Sequence, residues 1–273
     1  MTSIRARAAV FLAAVDSKKF AVGPHDWQYY CGGAGDPVLL LTGGAGIGIA
    51  WVDLATALLP RFRVIAPSYP PSIGACDELV DGIVALLDTE GIERTHVVGQ
   101  AAGGMFAELL SQRAPERVRS LTFSSTGLYG PEDVDRLRMR VHNTLAAPWA
   151  QTRESIREAL RTAWRDSDDA EFWIEQIDAV TDHTGSDGAA NSYQLLLELA
   201  IRVDALTGGP AWRGPTLILR ADDDPLISAT HTDRLRDLHP DCDYRTFPEG
   251  GHSLLISRPG EYIATVGRFL DAA

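Results

Sequence analysis

The strongest constraint on this chain is an alternation of near-continuously apolar runs with amphipathic stretches, which breaks off once and then resumes. The runs PVLLLTGG (37–44), RFRVIAPSYPP (61–71), RTHVVGQ (94–100) and VRSLTFSST (118–126) are apolar along most of their length. Between them, WVDLATALLP (51–60), CDELVDGIVALLDTEGI (76–92) and AGGMFAELLSQRAPE (102–116) repeat their apolar residues at helical spacing, and Pro60 and Gly91 close the first two. Strands without polar alternation are buried on both faces. The pattern therefore predicts an α/β fold with a mostly parallel central sheet and helices on both faces.

From residue 128 to 210 the strands stop. PEDVDRLRMRVHNTLA (131–146), RESIREALRTAWRDS (153–167), DAEFWIEQIDAVTD (169–182) and AANSYQLLLELAIRVDAL (189–206) all read as helix. The alternation resumes at PTLILRADDDPLIS (215–228) and ends on a helix at PGEYIATVGRFLDAA (259–273). We expect one core in two parts, 1–127 and 211–273, with a helical insertion at 128–210. FAVGPHDWQYYC (20–31) reads as two strands about a Gly-Pro turn, and IRARAAVFLAA (4–14) as a short helix rather than a signal peptide.

Composition narrows the partners. With 45% hydrophobic and 23% charged residues the chain can build a sizeable core. A net charge of −12 argues against nucleic acid and anionic membrane surfaces. No apolar run approaches the roughly 20 residues that span a bilayer. The three cysteines, Cys31, Cys76 and Cys242, have neither disulfide-framework nor zinc spacing. A cytoplasmic protein with free thiols is expected, with no metal or cofactor and a small, mainly apolar molecule as partner.

Four short motifs carry chemistry. In THVVGQAAGGMF the frame Gly99-Gln100-Ala101-Ala102-Gly103 joins a strand to a helix with glycines at both ends, the form of a nucleophile elbow. In LRADDDPLIS a buried strand runs into Asp222, Asp223 and Asp224, where one carboxylate could orient a histidine. In FPEGGHSLLIS, His252 follows two glycines and could act as base and acid. In LLLTGGAGIG, glycines after a strand expose N–H groups that could stabilise an oxyanion, with Gly44 and Ala45 as candidates. A dinucleotide loop is the rival for that motif, but the G-x-G-x-x-G frame is broken at Ile49 and no acid ends the next strand. The other histidines, His25, His96, His142, His183, His231 and His239, read as core or surface; His142, in the helical insertion, could face a pocket.

Over nearly its whole length the chain resembles the α/β-hydrolase superfamily, in which elbow, acid and histidine follow this order. The insertion looks like that family's cap. The resemblance implies Ala101 at the nucleophile position, Asp224 as acid, His252 as base, and the N–H groups of Ala102 and of Gly44 or Ala45 as oxyanion donors. RVIAPSYPP with CDELVDGIVALLD also resembles the maspardin-like branch. Thr42 stands where many members have histidine.

Ala101 is the severe departure, because a methyl group cannot attack a carbonyl. Three readings follow. The first is an engineered replacement of serine in a parent acting on an ester, thioester or lactone by hydrolysis or acyl transfer. The second is a natural enzyme that uses the His252–Asp224 base without a covalent nucleophile, as a lyase, isomerase, cyclase or cofactor-free oxygenase, with Gln100 polarising a substrate oxygen. The third is a binding protein. Trp149, Trp164, Trp173, Tyr193 and Leu195–Leu197 could line an apolar pocket in the insertion.

Overall fold

A computed structural model describes residues 2–163, 169–182, 184–209 and 212–273. The strands are β1 (Asp16–Val22), β2 (His25–Gly32), β3 (Asp36–Leu41), β4 (Phe62–Ser68), β5 (Thr95–Gln100), β6 (Val118–Ser124), β7 (Thr216–Ala221) and β8 (Asp243–Phe247). They form one sheet in the order β1-β2-β4-β3-β5-β6-β7-β8. β1 and β2 pair as an antiparallel hairpin and β2 joins β4 antiparallel; every other neighbour is parallel. This is the mostly parallel central sheet expected from the alternation and implied by the resemblance to α/β hydrolases.

The apolar runs are explained by burial on two sides. Leu39 and Leu41 of β3 face one core, with Phe106 and Leu110 of α4 (Ala102–Arg113) and Leu79 and Ile83 of α3 (Cys76–Thr89). Val38 and Leu40 face the other, with Phe11 of α1 (Ile4–Ala14) and Leu54 of α2 (Val52–Leu58). Neighbouring residues point to opposite faces, so only a strand apolar at every position fills both cores.

Between β6 and β7 the chain makes α5 (Pro131–Ala146), α6 (Trp149–Ala163), α7 (Asp169–Thr181), α8 (Gly185–Ile201) and α9 (Val203–Gly208). The sequence pattern suggested one helix over 189–206, but the structure breaks it at Arg202. There the guanidinium binds Glu198 Oε1 at 2.6 Å and approaches Asp77 Oδ1 of α3 at 3.4 Å. The break redirects Val203 and Leu206 of α9 into the core beside α4. α8 is fixed to the body through Glu198 Oε2, which accepts from the Cys76 N–H at 2.8 Å, and Asn191 Nδ2, which donates to the Pro71 carbonyl at 2.8 Å. After β7 come α10 (Ala229–Leu238), β8, a single-turn α11 (Leu254–Ser257) absent from the sequence reading, and α12 (Pro259–Ala272).

His96, on β5, is buried with its Nδ1 2.7 Å from Ser120 Oγ. Burial, aided by the nearby charge of Arg119, lowers its pKa from 6.5 to about 4. Above pH 6.5 the ring is neutral in both folded and unfolded chains and the folded state keeps its full stability. Between 6.5 and about 4 the unfolded chain takes up a proton that the folded chain refuses, so stability falls as pH falls. The loss is on the order of 3 kcal/mol. His96→Gln should melt lower than the parent at pH 7 but show a shallower decline towards pH 4. Parallel melting curves for the two proteins across that range would refute this account.

Candidate active site

The turn between β5 and α4 is a single residue. Ala101 has φ 50° and ψ −123°, a left-handed backbone that L-residues rarely adopt. Its cause is crowding on either side. A Cβ on Gly99 would lie 2.5 Å from the Gly103 carbonyl oxygen, and one on Gly103 would overlap the Leu41 carbonyl. One on Gly104 would overlap the Thr126 side chain. With α4 pressed onto the strands, the chain must reverse within one residue. Hydrogen bonds hold that reversal: Ala101 N–H donates to the Ser124 carbonyl at 3.0 Å, and Thr126 Oγ1 donates to the Ala101 carbonyl at 2.6 Å. Such a conformation costs on the order of 1–3 kcal/mol and persists only where its surroundings enforce it.

The glycine loop after β3 closes over this turn. Gly46 N–H donates to the Gly43 carbonyl at 3.0 Å, and Gly46 has φ 66°. Tyr69 pins the loop at both ends: its N–H donates to the Gly46 carbonyl at 2.8 Å and its hydroxyl to the Thr42 carbonyl at 3.0 Å. Gly43 packs on the elbow, since a Cβ there would be 3.3 Å from Ala101 Cβ. Gly44, Ala45 and Ala102 line the cavity described below. Neither Tyr69 nor Gly43 is singled out by the sequence.

The acid and the histidine arrive from β7 and β8. His252 Nδ1 lies 3.1 Å from both Asp224 oxygens. Asp224 Oδ1 also accepts from the N–H groups of Leu226 at 2.8 Å and Ile227 at 3.1 Å. Its side chain is fully buried, while that of His252 is 29% exposed. Burial by itself raises the Asp224 pKa, but the His252 hydrogen bond and the two backbone donors outweigh it and hold the carboxyl below its usual value. An ionised carboxylate only accepts, so His252 carries its proton on Nδ1 and leaves Nε2 with a lone pair.

Asp223 has a task that the sequence reading missed. Its Oδ1 accepts from the N–H groups of Gly250 at 2.9 Å and Gly251 at 2.8 Å, which fixes the loop before His252. Asp222 is exposed and lies 3.7 Å from Arg220. Gln100 Nε2 donates to Ser253 Oγ at 2.8 Å, so the residue before Ala101 is tied to the residue after His252. That bond engages one of the two N–H donors of the amide.

Against the elbow lies a cavity of about 500 Å³. Gly43–Gly46, Ala102 and Phe106 form its floor; Ile156, Ile177, Val180, Tyr193, Leu195 and Leu196 come from the helical insertion. Ala101 and His252 are part-exposed but are not part of its wall; Ala101 meets the lining at Gly43. Several expectations change here. Leu197 packs with Leu137 and Ala200 inside the insertion, and Trp173 packs against Phe172. Neither Trp149 nor Trp173 lines the cavity. His142 faces solvent, although Arg140 and Thr144 beside it on α5 do reach the cavity. Trp164 and His183 lie outside the described residues.

Glu132, Asp133 and His231 have metal-ligand spacing. Their lone pairs are already engaged: His231 Nδ1 accepts from the Ser228 N–H at 3.2 Å, which leaves the proton on Nε2, 3.1 Å from Asp133. Arg136 and Arg234 bind the two carboxylates. The group is a polar tie between α5 and α10. His25 and His239 are likewise buried and paired, with Ser72 and Glu108. Among the described residues no helix is long and apolar enough to cross a membrane.

The crowding at the elbow gives a direct test. Gly103→Ala should destabilise the protein by on the order of 3 kcal/mol or more, because backbone rather than a flexible side chain must move. Urea unfolding of this variant beside Gly260→Ala, where a Cβ meets nothing within 4 Å, measures the difference. Equal midpoints would show that α4 does not depend on this close approach.

Residues 36–259 match the family model described as the alpha/beta hydrolase fold. Among curated proteins the chain is similar to one named "Putative carbamate hydrolase RutD" from Caulobacter sp. (strain K31), 27% identical over 251 residues, 86% of this chain and 90% of the relative. A protein of the same name from Azorhizobium caulinodans is 29% identical over 248 residues, 87% and 92% of the two chains. Among solved structures, the enol-lactonase from Burkholderia xenovorans LB400 superposes with a TM-score of 0.76 at 18% identity, covering 93% of this chain and 100% of that one. Identity that low speaks for the fold alone. The family match spans most of the chain and includes the elbow, Asp224 and His252: this protein belongs to the α/β-hydrolase fold family.

Proposed function

We propose that this chain is the framework of a serine hydrolase for carboxylic esters, thioesters or lactones, with alanine at position 101 where the active parent carries serine. The observation that carries this is the backbone of Ala101 at φ 50° and ψ −123°. An alanine gains nothing from a strained turn, whereas a nucleophile gains exposure at the end of a strand. The His252–Asp224 pair supports the reading, because both partners and the hydrogen bonds that orient them are kept.

With serine at 101, Oγ attacks the substrate carbonyl carbon as its proton passes to His252 Nε2. Asp224 holds the imidazole and stabilises the imidazolium. The new oxyanion takes hydrogen bonds from the Ala102 N–H, at the first turn of α4, and from the Gly44 or Ala45 N–H. Collapse breaks the bond to the alcohol or thiol, which leaves with the proton from His252. Water activated by the same histidine then releases the acid. The apolar walls suit an acyl group of moderate size. The name of the RutD relatives adds carbamates to the substrates worth testing.

The test is Ala101→Ser beside the Ala101 protein taken as parent for these assays, on p-nitrophenyl esters, aryl thioesters and aryl carbamates of graded acyl length. Serine should raise turnover by on the order of 10³-fold or more, with a pre-steady-state burst of leaving group. In that background His252→Ala should return the rate to that of the parent. Asp224→Asn should lower it by on the order of 10³–10⁴-fold by releasing the histidine tautomer. If serine adds neither burst nor turnover, the proposal fails, and base catalysis by His252 without a covalent intermediate takes its place.

A further inference from the structure

The cavity holds one feature that a site for wholly apolar acyl groups does not require. Among the described residues, Arg140 is the single charged residue in its lining, and no aspartate or glutamate lines it. Most arginines of this acidic chain are paired with carboxylates, including Arg136 and Arg138 on the same helix. Arg140 has no carboxylate partner among the described residues. It lies over the Tyr193 ring at 5.4 Å, and its Nη1 donates to the Tyr193 hydroxyl at 3.3 Å. That stacking orients the guanidinium and uses one of its five N–H donors. Arg140 is exposed as well as cavity-lining, which puts it at the mouth, while the glycine loop and Ala102 form the floor beside position 101.

We propose that Arg140, positioned by Tyr193, binds a carboxylate on the substrate, so that the site takes acyl compounds with an apolar body and an anionic end, such as half-esters of dicarboxylic acids. This rests on the proposed hydrolase reading for the reacting end of the substrate. The physical argument is complementarity. A planar guanidinium with free donors matches a carboxylate bidentately. A cavity without acidic side chains does not repel that carboxylate, although the net charge of the whole chain is −12. The walls between carry only neutral groups such as Ile156, Val180 and Leu196, which accept the methylene body. Arg140 would then be a specificity residue, remote from the bond that breaks.

The protein as it stands lacks a nucleophile, so binding can be read without turnover. Monomethyl succinate, adipate and suberate, each beside its dimethyl ester, are titrated calorimetrically into the Ala101 protein and into Arg140→Gln. At one chain length at least, the half-ester should bind about tenfold more tightly than the diester, a preference typical of one charge-assisted contact. Arg140→Gln should remove that preference and leave diester binding unchanged, and Tyr193→Phe should weaken it in part. Equal affinities across the series, an unchanged preference in Arg140→Gln, or no binding at millimolar ligand would overturn the proposal. In the Ala101→Ser background, Arg140→Gln should raise KM for the half-ester with kcat unaffected. Ala101→Ser activity without any half-ester preference defeats the Arg140 assignment alone. A clear binding preference with no Ala101→Ser activity defeats the serine reading alone.

Discussion

The close approach of α4 to β5 and β3 is the contact on which the site depends. Gly103 meets the Leu41 carbonyl and Gly99 meets the first turn of α4, with no space for a side chain at either place. Because the helix lies this close, one residue must carry the whole reversal, and Ala101 is forced to positive φ. The same approach brings the N-terminus of α4 beside the Gly43–Gly46 loop, where backbone donors and the helix dipole converge. Farther along α4, Glu108 is buried against His239 Nε2 at 2.7 Å, and Gln112 binds both Glu108 and the Leu206 carbonyl. The helix is thus held at both ends, by steric fit at one and by a buried polar pair at the other. Removing one partner of such a pair leaves the other unpaired in the core, which is costly.

The Asp224–His252 pair is built by a different device. Asp224 and His252 lie on separate connections, and no rigid helix holds either of them. Their placement comes from backbone hydrogen bonds to neighbouring aspartates. Asp224 accepts from the residues that follow it, and Asp223 accepts from the two glycines that precede His252. Adjacent carboxylates therefore divide the work, one orienting the imidazole and the other the loop that carries it. The Gln100–Ser253 bond then ties this assembly to the elbow. The turn at Ala101, the Asp224–His252 pair and the loop before His252 are thus held together as one hydrogen-bonded assembly.

The helical insertion supplies much of the cavity wall. Its inner face mixes aliphatic side chains with hydroxyl and amide groups such as Thr152, Ser155 and Asn191, and Arg140 adds one positive charge at the mouth. Proteins that share this fold act on many substrates, so family membership does not give the identity of the molecule that this cavity takes. Specificity has to be read from the side chains that α5, α6, α7 and α8 turn toward the cavity.

Much of this was legible in the sequence. The alternation of doubly buried strands with amphipathic helices specified the sheet, because periodicity is local and burial imposes it residue by residue. The elbow glycines, Asp224 and His252 could be picked out because a tight strand–helix turn and a carboxylate–imidazole pair demand particular residue types. Other features had no local signature. Asp223 looked like one more solvated acid until the fold brought Gly250 and Gly251 to it. Tyr69 looked like an ordinary residue before a proline pair. His142, which the sequence placed in reach of a pocket, faces solvent, while Arg140 two residues earlier reaches the cavity. The sequence by itself determined the order of the elements and the residue types at the turn. Only the tertiary structure decided which carboxylate holds the loop before the histidine, which tyrosine holds the glycine loop and which cation faces the cavity. These are contacts between segments far apart along the chain, and their geometry exists only after the sheet, helices and insertion have packed.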